Sequence, residues 1–178
     1  IARGPEVKPV TVPSVQLEKN RYVSYVDNYA RLPMLNIAYP TVRDYHPDIA
    51  ALQLLGQVLG QGRNSVLFQQ LVKKQLALQA SAFNSPSELT GEFHIVLLPS
   101  PGKSLGDMEK LYFAALDSFE ARGVTDDDVT KFKGGMESSL INGLQSVAGK
   151  VSQLAAFETF TGNPNKMAEL LKMYQAVT

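Results

Sequence analysis

Two short runs that alternate apolar and polar residues, joined by a turn, constrain this chain more than any other feature. Residues 76–83 set Leu76, Leu78, Ala80 and Ala82 on one face, and residues 92–98 set Phe93, Ile95 and Leu97 together. A period of two marks a half-buried strand. The connecting stretch 85–91 contains Pro86 and Gly91, so the two runs are expected to pair as a hairpin.

The elements around this hairpin follow from the same reasoning. Residues 21–26 mix Tyr and Val with polar residues, and 32–39 alternate Leu35, Ile37 and Tyr39 against Met34, Asn36 and Ala38, with Pro40 closing the run. Both read as strands. Pro47 suits the first position of a helix, with Asp48 in its first turn facing the positive end of the dipole. Ile49, Leu52, Leu55, Val58 and Leu59 then leave only Gln53, Gln57 and Gln61 as a narrow polar stripe, the pattern of a helix buried on most sides. Gly60 and Gly62 are expected to end it, and Asn64 or Ser65 to cap a short second helix through Leu71.

Beyond residue 104 the pattern is helical. Ser104 with Asp107, and Thr125 with Asp128, have the spacing of capping boxes. One apolar face carries Leu105, Met108, Tyr112, Ala115 and Phe119 and stops at Gly123. The next carries Val129, Phe132, Met136, Leu140 and Leu144 and runs on through Val147, Val151 and Leu154, with Gly143 and Gly149 predicting a kink or break. Asn163 and Pro164 open a last helix bearing Met167, Leu170, Leu171 and Tyr174. Strands grouped in hairpins and followed by helices predict an α+β domain, a mainly antiparallel sheet with helices packed on one face. Pro5, Pro9 and Pro13 make residues 1–16 an extended Pro-rich linker or a frayed terminus, leaving 17–178 as a single domain.

Composition removes whole classes of function. The 178 residues hold 17 Lys and Arg against 17 Asp and Glu, so no basic excess favours a nucleic-acid partner. Without cysteine there is no disulfide framework, thiolate metal site or cysteine nucleophile. No apolar run approaches the roughly 20 residues of a membrane-spanning helix. The two histidines, His46 and His94, stand alone. Neither HExxH nor HxxEH is present to bring two imidazoles and a glutamate together. His46 reads as a helix-start residue and His94 as the polar position of a strand. There is no GxSxG elbow for a serine nucleophile. Leu97 occupies the place of the first glycine a phosphate loop would need before Pro101, Gly102, Lys103 and Ser104. Gly60 and Gly62 follow a helix rather than a strand, which is the wrong setting for a dinucleotide. Asp126, Asp127 and Asp128 lack the spacing of a calcium loop and belong to a helix start. No self-contained catalytic constellation is expected.

Several stretches together resemble a known family. They are Tyr39, Pro40 and Thr41; His46, Pro47 and Asp48; and the run 51–68, reading ALQLLGQVLGQGRNSVLF. Further matches are Leu76 and Ala77, Gly91 before Phe93, Gly123 to Thr125, and Gly162, Asn163 and Pro164. In this order they resemble the C-terminal domain type of the M16 metallopeptidases, the family of insulin-degrading enzyme, pitrilysin and the mitochondrial processing peptidase. The similarity runs over about residues 20–178, and the family domain would continue past Thr178. The resemblance implies paired α+β domains closing around a peptide, with the zinc motif in the other domain type. It therefore implies no cofactor in this chain, zinc in the catalytic domain of the parent protein, and another M16-type domain and a peptide substrate as partners. Active members supply an Arg and a Tyr that hold substrate. Their positions fall here on Val72 and Leu78, allowing one residue of deletion, and neither side chain can do that work. If any residue here touches substrate, the candidates are Arg63, Lys73 and Lys74 or the backbone of the strand 76–83, and the alternative for the three cations is a solvated helix end. A catalytically inactive partner subunit is the alternative. Bacterial relatives of this type are often exported, which implies a periplasmic setting.

Overall fold

The structure, a computed structural model, describes Gly4, Val10 and residues 18–178. The linker expected over 1–16 lies outside the described residues apart from Gly4 and Val10. Three strands, β1 (Leu35–Thr41), β2 (Ala77–Pro86) and β3 (Gly91–Pro99), form one antiparallel sheet in the order β1-β3-β2. Five α-helices accompany it: α1 (Ile49–Gly60), α2 (Leu105–Arg122), α3 (Asp126–Gly143), α4 (Val147–Thr161) and α5 (Met167–Gln175). The α+β architecture is the one the pattern predicts.

The core lies on one face of the sheet. Phe93, Ile95 and Leu97 of β3 are buried there with Ala80 and Ala82 of β2. They meet Leu54, Val58 and Leu59 of α1, Met108, Tyr112 and Ala115 of α2, and Phe132 of α3 in a single cluster. Fully burying side chains of this size contributes about 1.5–3 kcal/mol each. The helix α1 approaches β2 at Gly56 and Gly60, one turn apart. A methyl group on Gly60 would lie 1.8 Å from the Ala82 nitrogen, and one on Gly56 3.2 Å from the Phe83 Cα. These glycines let the helix backbone rest on the strand backbone.

Several expectations are corrected. Residues 21–26 form no strand, and their side chains stand in solvent. The next strand starts at Leu35, not 32, and continues through Pro40, which is tolerated because β1 is an edge strand. Pro47 precedes the first helical residue by two positions, with Asp48 as N-cap. Gly60 is the last residue of α1, and the positive φ that turns the chain away belongs to Gly62 at 80°. The short second helix is uncapped by side chains: the Ser65 hydroxyl donates to the Gly62 carbonyl (2.8 Å). Its end, Phe68–Val72, is widened to a π turn, with the Lys73 N–H donating to the Phe68 carbonyl at 2.9 Å. Leu78 leaves the buried face because the β2–β3 register slips between Ala77 and Gln79, and this bulge carries one extra residue. Ala77, Ala80 and Ala82 are therefore the buried set, and Leu78 is 56% exposed.

The two capping boxes are present in full, at Ser104 with Asp107 and at Thr125 with Asp128. The long helical pattern breaks after Gly143 as expected, and α4 restarts at Val147, where the Ser146 hydroxyl accepts from the Gly149 N–H (3.0 Å). No helix among the described residues is long and apolar enough to cross a membrane.

Candidate functional surface

The corner between α1 and β2 concentrates backbone irregularity. Within residues 62–79 lie the left-handed Gly62, the π turn Phe68–Val72, Gln75 with φ of 57°, and the bulge at Ala77 and Gln79. A π turn and a bulge each re-aim side chains and are common beside functional sites. The positions aimed here are Val72, half-buried against the core, and Leu78, pointing outward. Neither carries a hydrogen-bonding group.

Around this corner stand the three cations expected from sequence. Gln69 ties two of them together: its amide nitrogen donates to the Arg63 carbonyl (2.6 Å), and its amide oxygen accepts from Lys73 (3.1 Å). Lys74 donates to the Gln70 amide oxygen at 2.5 Å. All three side chains are exposed, and none forms an ion pair with a carboxylate among the described residues. The corner is thus a small basic surface held by glutamines.

The histidines occupy separate places. His46 lies 3.5 Å from Asp48 at the start of α1. His94 lies on the helix-free face of the sheet, 3.0 Å from Glu92 across one strand position, within 3.4 Å of Asn36, and stacked on Phe83 at 5.3 Å. Among the described residues no three His, Asp or Glu side chains converge where they could hold a metal.

One feature escaped the sequence reading. Between α1 and α2, above β1, an open apolar cleft of about 430 Å³ is lined by Leu52, Leu55, Tyr39, Phe93, Leu116 and Phe119, among others. At its floor the Tyr39 and Tyr112 hydroxyls lie 3.4 Å apart. Burial, followed by the Tyr39 contact, pushes the Tyr112 phenol well above its ordinary range, so it stays neutral. The signal was present as a helix apolar on more sides than the core covers: Leu52 and Leu55 of α1 face the cleft.

Fold and surface together define a class: an α+β domain with a one-sided helical layer, a basic corner and no clustered metal ligands among its described residues. The pattern of the family described as the peptidase M16 inactive domain matches residues 2–156. The chain belongs to this family. It is 28% identical over 116 residues to the zinc protease PqqE of Helicobacter pylori, covering 65% of this chain and 26% of that protein. A solved protease from Helicobacter pylori superposes with a TM-score of 0.73 at 23% identity, covering 85% of this chain and 37% of the other. An inactive peptidase domain from Bordetella parapertussis superposes at 0.68 with 14% identity, covering 86% and 84%. At these identities the superpositions speak to the fold alone. The chain spans about a quarter of the length of the zinc protease it matches.

Proposed function

We propose that this chain is the non-catalytic half of an M16-type peptidase pair. It docks against a zinc-bearing domain, in the same polypeptide or in a partner chain, and lines the chamber in which peptides are hydrolysed. The observation that carries this reading is the corner at 62–79. In this chain of the inactive-domain family the bulge turns Leu78 outward and the π turn leaves Val72 half-buried against the core, so neither position offers a hydrogen-bonding group. Neither could steady a scissile carbonyl, so this domain's contribution is shape and charge. Zinc bound in the partner domain would activate water for attack on the amide. Arg63, Lys73 and Lys74 would meet carboxylates of the peptide from this side. Residues 17–178 act as one domain, with 1–16 as its connection, and an exported, periplasmic setting fits the same reading.

The test uses the parent protein with its zinc-bearing domain. Arg63→Glu, Lys73→Glu and Lys74→Glu combined should raise KM for acidic peptides about tenfold, the sum of three exposed charge contacts of about 0.5 kcal/mol each. The kcat should stay within about twofold, since none of the three reaches the reacting atoms. An unchanged KM would remove the basic corner from the substrate path. Hydrolysis by this chain alone would overturn the whole reading.

The second reading, a catalytically inactive partner subunit, is favoured by the same Val72 and Leu78. It expects a stable complex with an M16-type domain that hydrolyses nothing.

A further inference from the structure

The loop between β1 and α1 holds a bulky residue where glycine is the usual choice. Tyr45 has a φ of 58°, a left-handed conformation that is a steric outlier for an aromatic side chain. Contacts fix it from several sides. The Asp44 N–H donates to the Ser87 carbonyl (2.9 Å), tying this loop to the β2–β3 turn, and the Tyr45 N–H donates to the Asp44 carboxylate (2.8 Å). The Tyr45 ring meets Phe157 edge-on at 5.9 Å and stacks on Phe160 at 6.4 Å. The turn is closed in its own right, because the Ser87 N–H and hydroxyl both donate to the Thr90 carbonyl (2.8 and 2.7 Å). Strain held by this many contacts persists where the resulting shape is used.

That shape is a cavity of about 380 Å³, within the range of small-molecule sites. Tyr45, Phe160, Pro86 and Leu89 give it an aromatic and apolar wall. Burial, followed by the Asp44 carboxylate, raises the Tyr45 phenol above its ordinary range, so this wall carries no charge. Arg43 and Glu88 line the same cavity. Neither forms an ion pair among the described residues, so the guanidinium and the carboxylate stand more than 4.0 Å apart across one space. Asp44, the other carboxylate on the lining, already accepts from Tyr45.

We infer that this cavity binds a short peptide as its zwitterion: Arg43 takes the terminal carboxylate, Glu88 the terminal ammonium, and an aromatic or large aliphatic side chain lies against Tyr45 and Phe160. The separated charges select the ligand. A wholly apolar molecule leaves both charges unmet, and a phosphate faces two carboxylates for one guanidinium. A dipeptide sets its ends farther apart than a free amino acid does, by roughly 3.5 Å, and meets both with charge-assisted hydrogen bonds. The site stands at the start of α1, the opposite end of that helix from the corner at 62–79, and does not rest on the peptidase reading.

An NMR titration of the backbone amides of the full chain with alanyl-phenylalanine tests this. Shifts should centre on residues 43–45 and 86–89, with a Kd of about 0.1–1 mM for a ligand of this size. Acetylating its amine or amidating its carboxylate should each weaken binding about tenfold. Arg43→Gln should weaken the free dipeptide about tenfold and leave its amide unaffected, and Glu88→Gln should do the same for the acetylated form. Both side chains are exposed, so both variants should melt with the parent. No shift at about 10 mM dipeptide would overturn the inference. So would equal affinity for free and blocked dipeptides, since the cavity would then offer apolar surface alone. Val10 also lines the cavity, and binding that appears only after residues 1–16 are removed would make this chain's own linker the occupant and overturn it as well.

Discussion

Replacing Gly60 by alanine should destabilise this domain, although alanine is the better helix former. The residue closes α1, and its α-hydrogen faces β2. A β-carbon built there meets the Ala82 nitrogen at 1.8 Å, its Cα at 2.5 Å and its Cβ at 2.6 Å. Two of these three atoms are backbone, so no rotamer change relieves the overlap. Relief requires α1 to lift from the sheet by more than an ångström, and Leu54, Val58 and Leu59 would lift with it from Ala80, Ala82 and Ile95. Overpacking of this kind costs about 1–3 kcal/mol, with rigid backbone pointing to the upper end. Helix propensity returns about 1 kcal/mol of that. The net loss is about 2 kcal/mol, or a drop in Tm of about 4–8 °C for a domain of this length.

Urea and thermal unfolding followed by circular dichroism would measure it, with two glycines as internal controls. A β-carbon on Gly134, in the exposed middle of α3, meets nothing within 4 Å. Gly134→Ala should therefore stabilise by about 0.5–1 kcal/mol through propensity alone. On Gly56 the nearest atom is 3.2 Å away, so Gly56→Ala should fall between the two. The reasoning would be refuted by a Gly60→Ala protein as stable as the parent, or by Gly60→Ala and Gly134→Ala shifting Tm in the same direction.

Acid should weaken the helix starts. Burial works against the Asp128 charge, but the Thr125 N–H and hydroxyl and the Arg122 guanidinium outweigh it and hold the carboxyl below its usual range. A carboxyl depressed in the folded state adds stability above its unfolded pKa of about 3.9, and loses it as pH falls through the folded value. Asp128→Asn should therefore cost stability at pH 6, by about 1 kcal/mol as for other capping losses, and the gap to the parent should narrow as the pH falls below about 3.9 and through the lowered folded value. A gap independent of pH would contradict this. For metal, the purified chain equilibrated with zinc and dialysed should retain less than about 0.1 equivalent, because its two histidines sit apart with one carboxylate each. Stoichiometric zinc lost on His94→Ala would reverse the assignment of this domain as non-catalytic.

What the sequence made legible is what local physics decides. Alternation in 92–98 found β3 because every buried position obeys a period of two, and both capping boxes were readable because each needs only four neighbouring residues. The misplacements occur where a long-range contact overrides the local rule. Gly60 looks like a stop signal, yet its role is set by a strand more than twenty residues away. Leu78 looks like a core residue until the register slip against β3 gives β2 one extra residue and turns it outward. Residues 21–26 look like a strand, yet they pair with no strand among the described residues and their side chains stand in solvent. The basic corner shows the same division: Arg63, Lys73 and Lys74 were visible as charges, whereas the π turn and the Gln69 bonds to the Arg63 backbone carbonyl and the Lys73 ammonium are products of the fold. The corner at 62–79 is costly to build, with a non-glycine residue at positive φ and two interrupted hydrogen-bond ladders, and such strain persists where a structure needs the resulting shape. A domain that served only as filler could replace it with a regular helix end and an unbulged hairpin. Around Val72 and Leu78 that strain sets contour and presents no hydrogen-bonding side chain.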